Sequence, residues 1–176
     1  LTVRIASSLA WKYSLAEAKE KKSGEATEQE KRNIEQRATY QSGRHDPDFI
    51  KIVLDGIPPT RTAAMLEPYV PDVKHGDNFM GKLKHTPEEL KVDVINLDAQ
   101  GLTVKIHATG DRSLRVSLDA FEAARKANNN SNLIHEVAHA EFIHPDDMPR
   151  FRKLNVAAEM SPVIWYPSPL SIAAGK

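Results

Sequence analysis

The stretch from Thr86 to Ala124 constrains this chain more than any other part of it. Thr86 reads as a helix N-cap, Pro87 takes the first helical position, where its missing N–H costs nothing, and Glu89 completes a capping box. Leu90, Val94 and Leu97 fall on one face, and Gly101 is the stop. Leu102 to His107 then alternates strictly between apolar and polar, the pattern of a strand. Asp111 is placed to cap a further helix that carries Leu114, Leu118, Phe121 and Ala124 on one side. A strand held between two amphipathic helices cannot reach its neighbours through hairpins. It needs crossovers, and crossovers build parallel sheets.

The flanking segments extend that alternation. Residues 1–13 read as a strand running into a loop, with Leu1, Val3 and Ile5 alternating against Thr2, Arg4 and Ala6. Residues 14–41 read as solvated surface helix, with a capping-box spacing at Ser14 and Glu17, a break at Ser23-Gly24, and a thin stripe of Ala26, Ile34 and Ala38. Asp46-Pro47 is a turn signal, and residues 49–55 form a buried strand ended by Gly56. Residues 57–85, with Pro58, Pro59, Pro68 and Pro71, read as a long loop of the kind that carries function. After a polar break at 128–132 comes a short apolar run, 133–143, then a short helix from His144-Pro145 through Leu154, and a last strand at 156–160. The fold class is therefore α/β, either a doubly wound sheet or part of a (β/α)8 barrel. A whole barrel takes about 250 residues, so 176 residues supply only a portion of one.

Composition narrows the function classes. There are 24 basic and 24 acidic residues and no cysteine. Charge balance argues against nucleic acid as a partner. The missing thiols exclude disulfide scaffolds and thiolate metal sites. No apolar run approaches 18 residues, so no membrane-spanning helix is expected. The chain opens at Leu1 inside a strand pattern, without initiator Met or signal peptide, and stops after Ala173-Ala174-Gly175-Lys176. A piece of a longer protein, located in the cytoplasm, is the expectation.

Two readings compete for the chemistry. Strand parity puts Leu102, Val104 and Ile106 toward the helices, and Thr103, Lys105 and His107 toward a barrel interior. On 49–55 it puts Ile50, Ile52 and Leu54 outward and Lys51, Val53 and Asp55 inward. A lysine, an aspartate and a histidine are thus offered to one interior, with His107 at the C-terminal strand end, where barrel active sites lie. Alternatively, His135-Glu136-Val137-Ala138-His139 matches H-E-x-x-H. On a helix, this pattern sets His135 and His139 one turn apart as zinc ligands, with Glu136 as base and Glu159 as a possible third ligand, as in a metalloprotease. That reading requires 133–144 to be helical. His45, His75, His85 and His144 read as ordinary surface residues. Trp11, Trp165 and Tyr166 read as core packing, with a place at a substrate mouth as the alternative.

Several blocks, in order, resemble the amidohydrolase superfamily in its amidohydrolase-3 branch, which includes N-substituted formamide deformylase and many predicted metal-dependent hydrolases. They are 51–56 (Lys-Ile-Val-Leu-Asp-Gly), Thr62-Ala63-Ala64 with Glu67-Pro68-Tyr69, 104–112 (Val-Lys-Ile-His-Ala-Thr-Gly-Asp-Arg), 118–125, 138–143, 144–151 and 154–162. The likeness covers about 45–165 and is weaker over 1–13.

The resemblance implies a (β/α)8 barrel of which this chain, residues 1–176 of a single domain, supplies about strands three to seven. It implies one or two divalent metals, usually zinc. Lys51 matches the strand-four lysine, often carboxylated to bridge two metals, His107 the strand-five ligand and His139 the strand-six ligand. The reaction implied is hydrolysis of non-peptide C–N bonds in small amide-type substrates. Two departures stand out: Ala138 and Glu141 occupy positions where the family usually has Glu and Gln. The family's strand-one histidine pair and strand-eight aspartate, the general base, fall outside this chain. No catalytic base is therefore expected within it, and the chain alone is expected to show little hydrolase activity, even if its parent is an enzyme. Two sheet edges and an open interior would be left for the rest of the barrel, or another copy, to cover.

Overall fold

A computed structural model describes residues 3–12, 26–129 and 132–161, together with 169 and 172. The elements in chain order are β1 (Ile5–Ala10), α1 (Glu28–Gln36), β2 (His45–Val53), α2 (Pro87–Ala99), β3 (Thr103–Ala108), α3 (Asp111–Asn128), β4 (His135–His139), α4 (Met148–Leu154) and β5 (Val156–Met160). All five strands are parallel, in the order β1-β2-β3-β4-β5.

That order decides between the two α/β architectures. A doubly wound sheet reverses its strand order at a switch point. Here each strand pairs with its successor and no reversal occurs among the described residues. Right-handed crossovers that never reverse keep their helices on one face of the sheet. This is the winding of a (β/α)8 barrel, and the sheet is consistent with part of one.

Local chemistry accounts for the elements. The capping box of α2 forms as its sequence requires: Thr86 Oγ1 accepts from Glu89 N–H at 3.2 Å, and Glu89 accepts from Thr86 N–H at 2.9 Å. Those bonds to Thr86 hold the Glu89 carboxyl below its usual range. Leu90, Val94 and Leu97 of α2 and Leu114, Leu118, Phe121 and Ala124 of α3 are buried against Ile50, Ile52, Val104, Ile106 and Val137 of the sheet. Each such large apolar side chain contributes about 1.5–3 kcal/mol on burial.

Three expectations are corrected. The Asp46-Pro47 turn lies inside β2, where the β1–β2 register shifts between Ala6 and Ser8. A bulge tolerates a residue that lacks a ladder N–H. Gly110, not Asp111, is the N-cap of α3. Asp111 instead accepts from Leu66 N–H at 2.7 Å, tying the long loop to the helix. His85 is buried, 8% exposed. The 133–143 run contains the strand that the barrel resemblance implies, β4, and not the helix that the H-E-x-x-H alternative requires. The surface-helix reading holds for α1 and its 3-10 extension Arg37–Tyr40, and residues 13–25 lie outside the described set. No helix among the described residues is long and apolar enough to cross a membrane.

Candidate metal centre

The sheet has two unlike faces. The row Ile50, Val104 and the row Ile52, Ile106, Val137 point to the helices and are fully buried. The opposite row, Lys51–Lys105–Glu136, is charged and half-buried. Lys105 Nζ pairs with Glu159 at 2.6 Å and Glu136 at 3.5 Å. One level nearer the C-terminal strand ends lies the row Val53–His107–Ala138–Glu159.

At that level two imidazoles meet. The rings of His107 and His139 lie edge to face, centroids 4.6 Å apart. His107 Nε2 lies 2.9 Å from the Gly56 carbonyl oxygen. A carbonyl can only accept, so Nε2 carries the proton and Nδ1 keeps the lone pair. His139 Nδ1 lies 3.2 Å from Ser161 Oγ at the end of β5. Burial, more than any neighbouring charge, pushes both imidazoles below the ordinary histidine range. For His139 the charges of His107 and Lys51 add to the effect. The Lys51 amine is lowered for the same first reason, then by Lys105 beside it. Both imidazoles therefore favour the uncharged form that metal coordination needs, and the Lys51 amine is shifted in the same direction.

His139 reaches this face by an unusual route. In register it lies beside Ala108, which is buried in the core on the helix side. Ordinary parity would send it outward with His135 and Val137. Instead His139 has φ +74° and the next residue, Ala140, φ +42°. Left-handed backbone at a residue that is not glycine costs on the order of 1–3 kcal/mol, and such strain clusters at functional sites. Neither residue type announces that conformation, so nothing in the sequence signals it.

The remaining sequence-derived candidates have other employment. Asp55 is fully buried, and its carboxylate accepts from the N–H groups of Ala64, Thr109 and Gly110 and from Ser113 Oγ, all at 2.6–3.1 Å. It binds the loop after β2 to the start of α3 and is not presented to an open interior as parity suggested. Its Oδ1 lies 3.6 Å from His107 Nε2, on the proton-bearing side of that ring.

The H-E-x-x-H reading fails because the segment is a strand. His135 points to the helices and is fully buried, its Nε2 2.9 Å from Asp98 and its Nδ1 accepting from Val104 N–H at 3.1 Å. Glu136 and Glu159 serve Lys105. Among the described residues no group of three or more His, Asp or Glu is placed to hold a metal ion. Trp11 packs against the core, while Trp165 and Tyr166 lie outside the described residues.

Comparison with known proteins supplies the frame for this geometry. The model of the amidohydrolase family matches residues 2–174. The chain belongs to the amidohydrolase family. This amidohydrolase chain superposes on an uncharacterized metal-dependent hydrolase from Pyrococcus furiosus with TM-score 0.61 and 25% identity, over 76% of its own length and 27% of that protein. A second such hydrolase, from Pyrococcus horikoshii OT3, gives TM-score 0.61 and 26% identity, over 76% of the amidohydrolase chain and 26% of the other. Among sequences, it is 29% identical to Protein LONG AFTER FAR-RED 3 of Arabidopsis thaliana, over 64% of this chain and 19% of that protein. It is 27% identical to Exoenzymes regulatory protein AepA of Pectobacterium carotovorum subsp. carotovorum, over 65% of this chain and 23% of that protein. The amidohydrolase chain thus spans about a fifth to a quarter of each of these relatives.

Proposed function

We propose that this chain is part of a metal-dependent amidohydrolase that cleaves amide-type C–N bonds other than peptide bonds, and that His107, His139 and Lys51 form one side of its metal centre. The observation that carries the reading is the edge-to-face meeting of the His107 and His139 rings, centroids 4.6 Å apart, at the C-terminal strand ends, on the face of the sheet that also carries Lys51.

The donor set suits a borderline divalent metal such as zinc, since imidazole is among its preferred ligands. His107 would ligate through Nδ1, because Nε2 is engaged by the Gly56 carbonyl. A bound metal of this kind supplies Lewis-acid activation of the substrate carbonyl and of water. The chain's own residues hold and orient. Asp55 fixes the loop that presents Gly56, and Lys105 neutralises the two carboxylates nearest to Lys51. A general base is not found among these side chains and would come from elsewhere in the protein. So would whatever covers the edges at β1 and β5, either further strands of the same barrel or a second copy.

The test is titration of the chain with Zn²⁺ by calorimetry, together with an assay against simple amides and N-formyl amines. A protein extended in both directions is assayed in parallel. The expected result is Zn²⁺ uptake that is lost in His107→Asn and His139→Asn, with turnover confined to the extended protein. Undiminished Zn²⁺ binding in both variants would overturn the assignment.

A further inference from the structure

The geometry points to Ser161 and Ala140 as positioning residues that clamp His139 onto the inner face of the sheet; with Ser161 Oγ as the acceptor of the contact, Nδ1 keeps its proton and Nε2 is left as the ligating nitrogen. The inference rests on the metal-centre reading above, but its observations are its own. His139 is displaced from the face its register assigns it. The displacement is made by two consecutive left-handed residues, and its ring ends between His107 and Ser161.

Something must hold such a turn, because nothing in the preferences of His and Ala favours it. Ala140 is fully buried within the hydrophobic core, so the peptide after His139 is fixed by packing. Two residues on, Phe142 N–H donates to the Thr109 carbonyl at 3.0 Å and ties the turn to the end of β3, the strand that carries His107. The backbone is therefore held from one side and the ring from the other. A histidine ligand whose second nitrogen is fixed by a hydrogen bond has one tautomer and one orientation. Ser161 belongs to the next strand end, so the clamp also couples β5 to the centre, although β5 contributes no ligand of its own.

Ser161→Ala, Ser161→Thr and Ala140→Gly separate positioning from stability in the full 176-residue chain. Glycine adopts φ +42° freely, so Ala140→Gly keeps the turn accessible while releasing its grip. Three quantities are read: the His139 ring tautomer by ¹⁵N NMR, Co²⁺ affinity by titration of its visible absorption, and the urea unfolding midpoint. The expected result is a Co²⁺ affinity lowered about 10–100-fold in Ser161→Ala and Ala140→Gly, the range for loss of a ligand's supporting partner. The unfolding midpoint stays close to that of the parent. Ser161→Ala turns a single Nδ1–H tautomer of His139 into a mixture, and Ser161→Thr restores both tautomer and affinity. Unchanged affinity in both variants, or a loss of affinity matched by an equal loss of unfolding resistance, would overturn the clamp. If the parent chain takes up no Co²⁺, the metal-centre reading fails, and the tautomer alone decides: an unaltered His139 tautomer in Ser161→Ala overturns the clamp as well.

Discussion

His135 and His139 stand four residues apart on the same strand, with the same parity, and do opposite things. His135 follows the strand's geometry outward into a dry layer between sheet and helices. There both ring nitrogens are spoken for, and Phe121 stacks on the ring at 4.8 Å. His139 breaks that geometry, turns inward through strained backbone, and keeps a nitrogen free at a half-buried surface. A histidine with every polar atom satisfied is part of the scaffold. One brought out of register at a cost in strain is available for chemistry. The same contrast runs across the sheet, whose helix side is fixed by complete burial and whose inner side carries paired charges still open to solvent.

The sharpest break of this comparison is at Asp98, the hub of the outer layer. Its carboxylate faces His135 Nε2 at 2.9 Å, Asn128 Nδ2 at 2.7 Å and Arg125 Nη1 at 3.3 Å, and it is essentially inaccessible. Removing one member of a buried charged network leaves the others desolvated and uncompensated, at a cost of about 3–5 kcal/mol. Asp98→Ala is expected to lose that much in urea unfolding. A loss below about 1 kcal/mol, the scale of an exposed pair, would mean the outer layer is not the rigid half.

The reciprocal break is His139→Asn. It is expected to weaken Zn²⁺ binding by about 100-fold or more, at least the upper end of what loss of a supporting partner costs. Unfolding free energy should change little or rise, because Asn tolerates left-handed backbone better than His. Calorimetry and urea unfolding on the same sample check both halves of the statement.

A pH series sharpens the contrast further. Burial, followed by the Arg125 charge, pushes His135 down to about 4 from an unfolded value of 6.5. Between those values the unfolded chain binds a proton that the native chain refuses. The contribution is therefore fully present above pH 6.5 and is lost as pH falls toward about 4. His85, His107 and His139 are depressed in the same direction, mainly by burial. The urea midpoint is expected to fall steadily as pH drops from about 7 to about 4.5. In His135→Gln it starts lower and falls less steeply, the difference in slope being the His135 share. Equal slopes would show that His135 does not resist protonation.

The sequence was legible where local rules and tertiary packing agree. The capping box at Thr86 and Glu89, the alternation at 102–107 and the stripe on α3 all specify elements whose outer faces are the real core. Parity correctly put Lys51 and His107 on the inner face. It misjudged Asp55, because a residue one step past a strand end obeys the turn and not the pleat. It had no means to place His139, since a left-handed histidine followed by a left-handed alanine has no signature in residue type. The H-E-x-x-H match could not be settled from periodicity for a related reason. A short apolar run carries too few periods to tell strand from helix, and the sheet, not the motif, decided it. The Ser161 contact joins residues 22 apart in sequence and becomes visible only once β4 and β5 are paired.

The smallest expected effect tests whether charge on the two faces is worth the same. Lys105 and Arg125 are both cations next to carboxylates, and by contact distance Lys105 is the better paired, at 2.6 Å against 3.3 Å. Distance is not what decides. Asp98 is fully withdrawn from water, whereas the Glu159 side chain is 48% exposed, and an ion pair that water can reach contributes only about 0–1 kcal/mol. Lys105→Met should therefore cost less than about 1 kcal/mol in urea unfolding, a cost that shrinks further in high salt as the remaining charges are screened. The same substitution leaves Glu136 and Glu159 without their shared counter-ion on the face that carries Lys51. A loss above about 3 kcal/mol, the scale of a broken buried pair, or one indifferent to salt, would show that the inner face supports the fold as strongly as the outer. The division drawn between His135 and His139 would then not extend across the sheet.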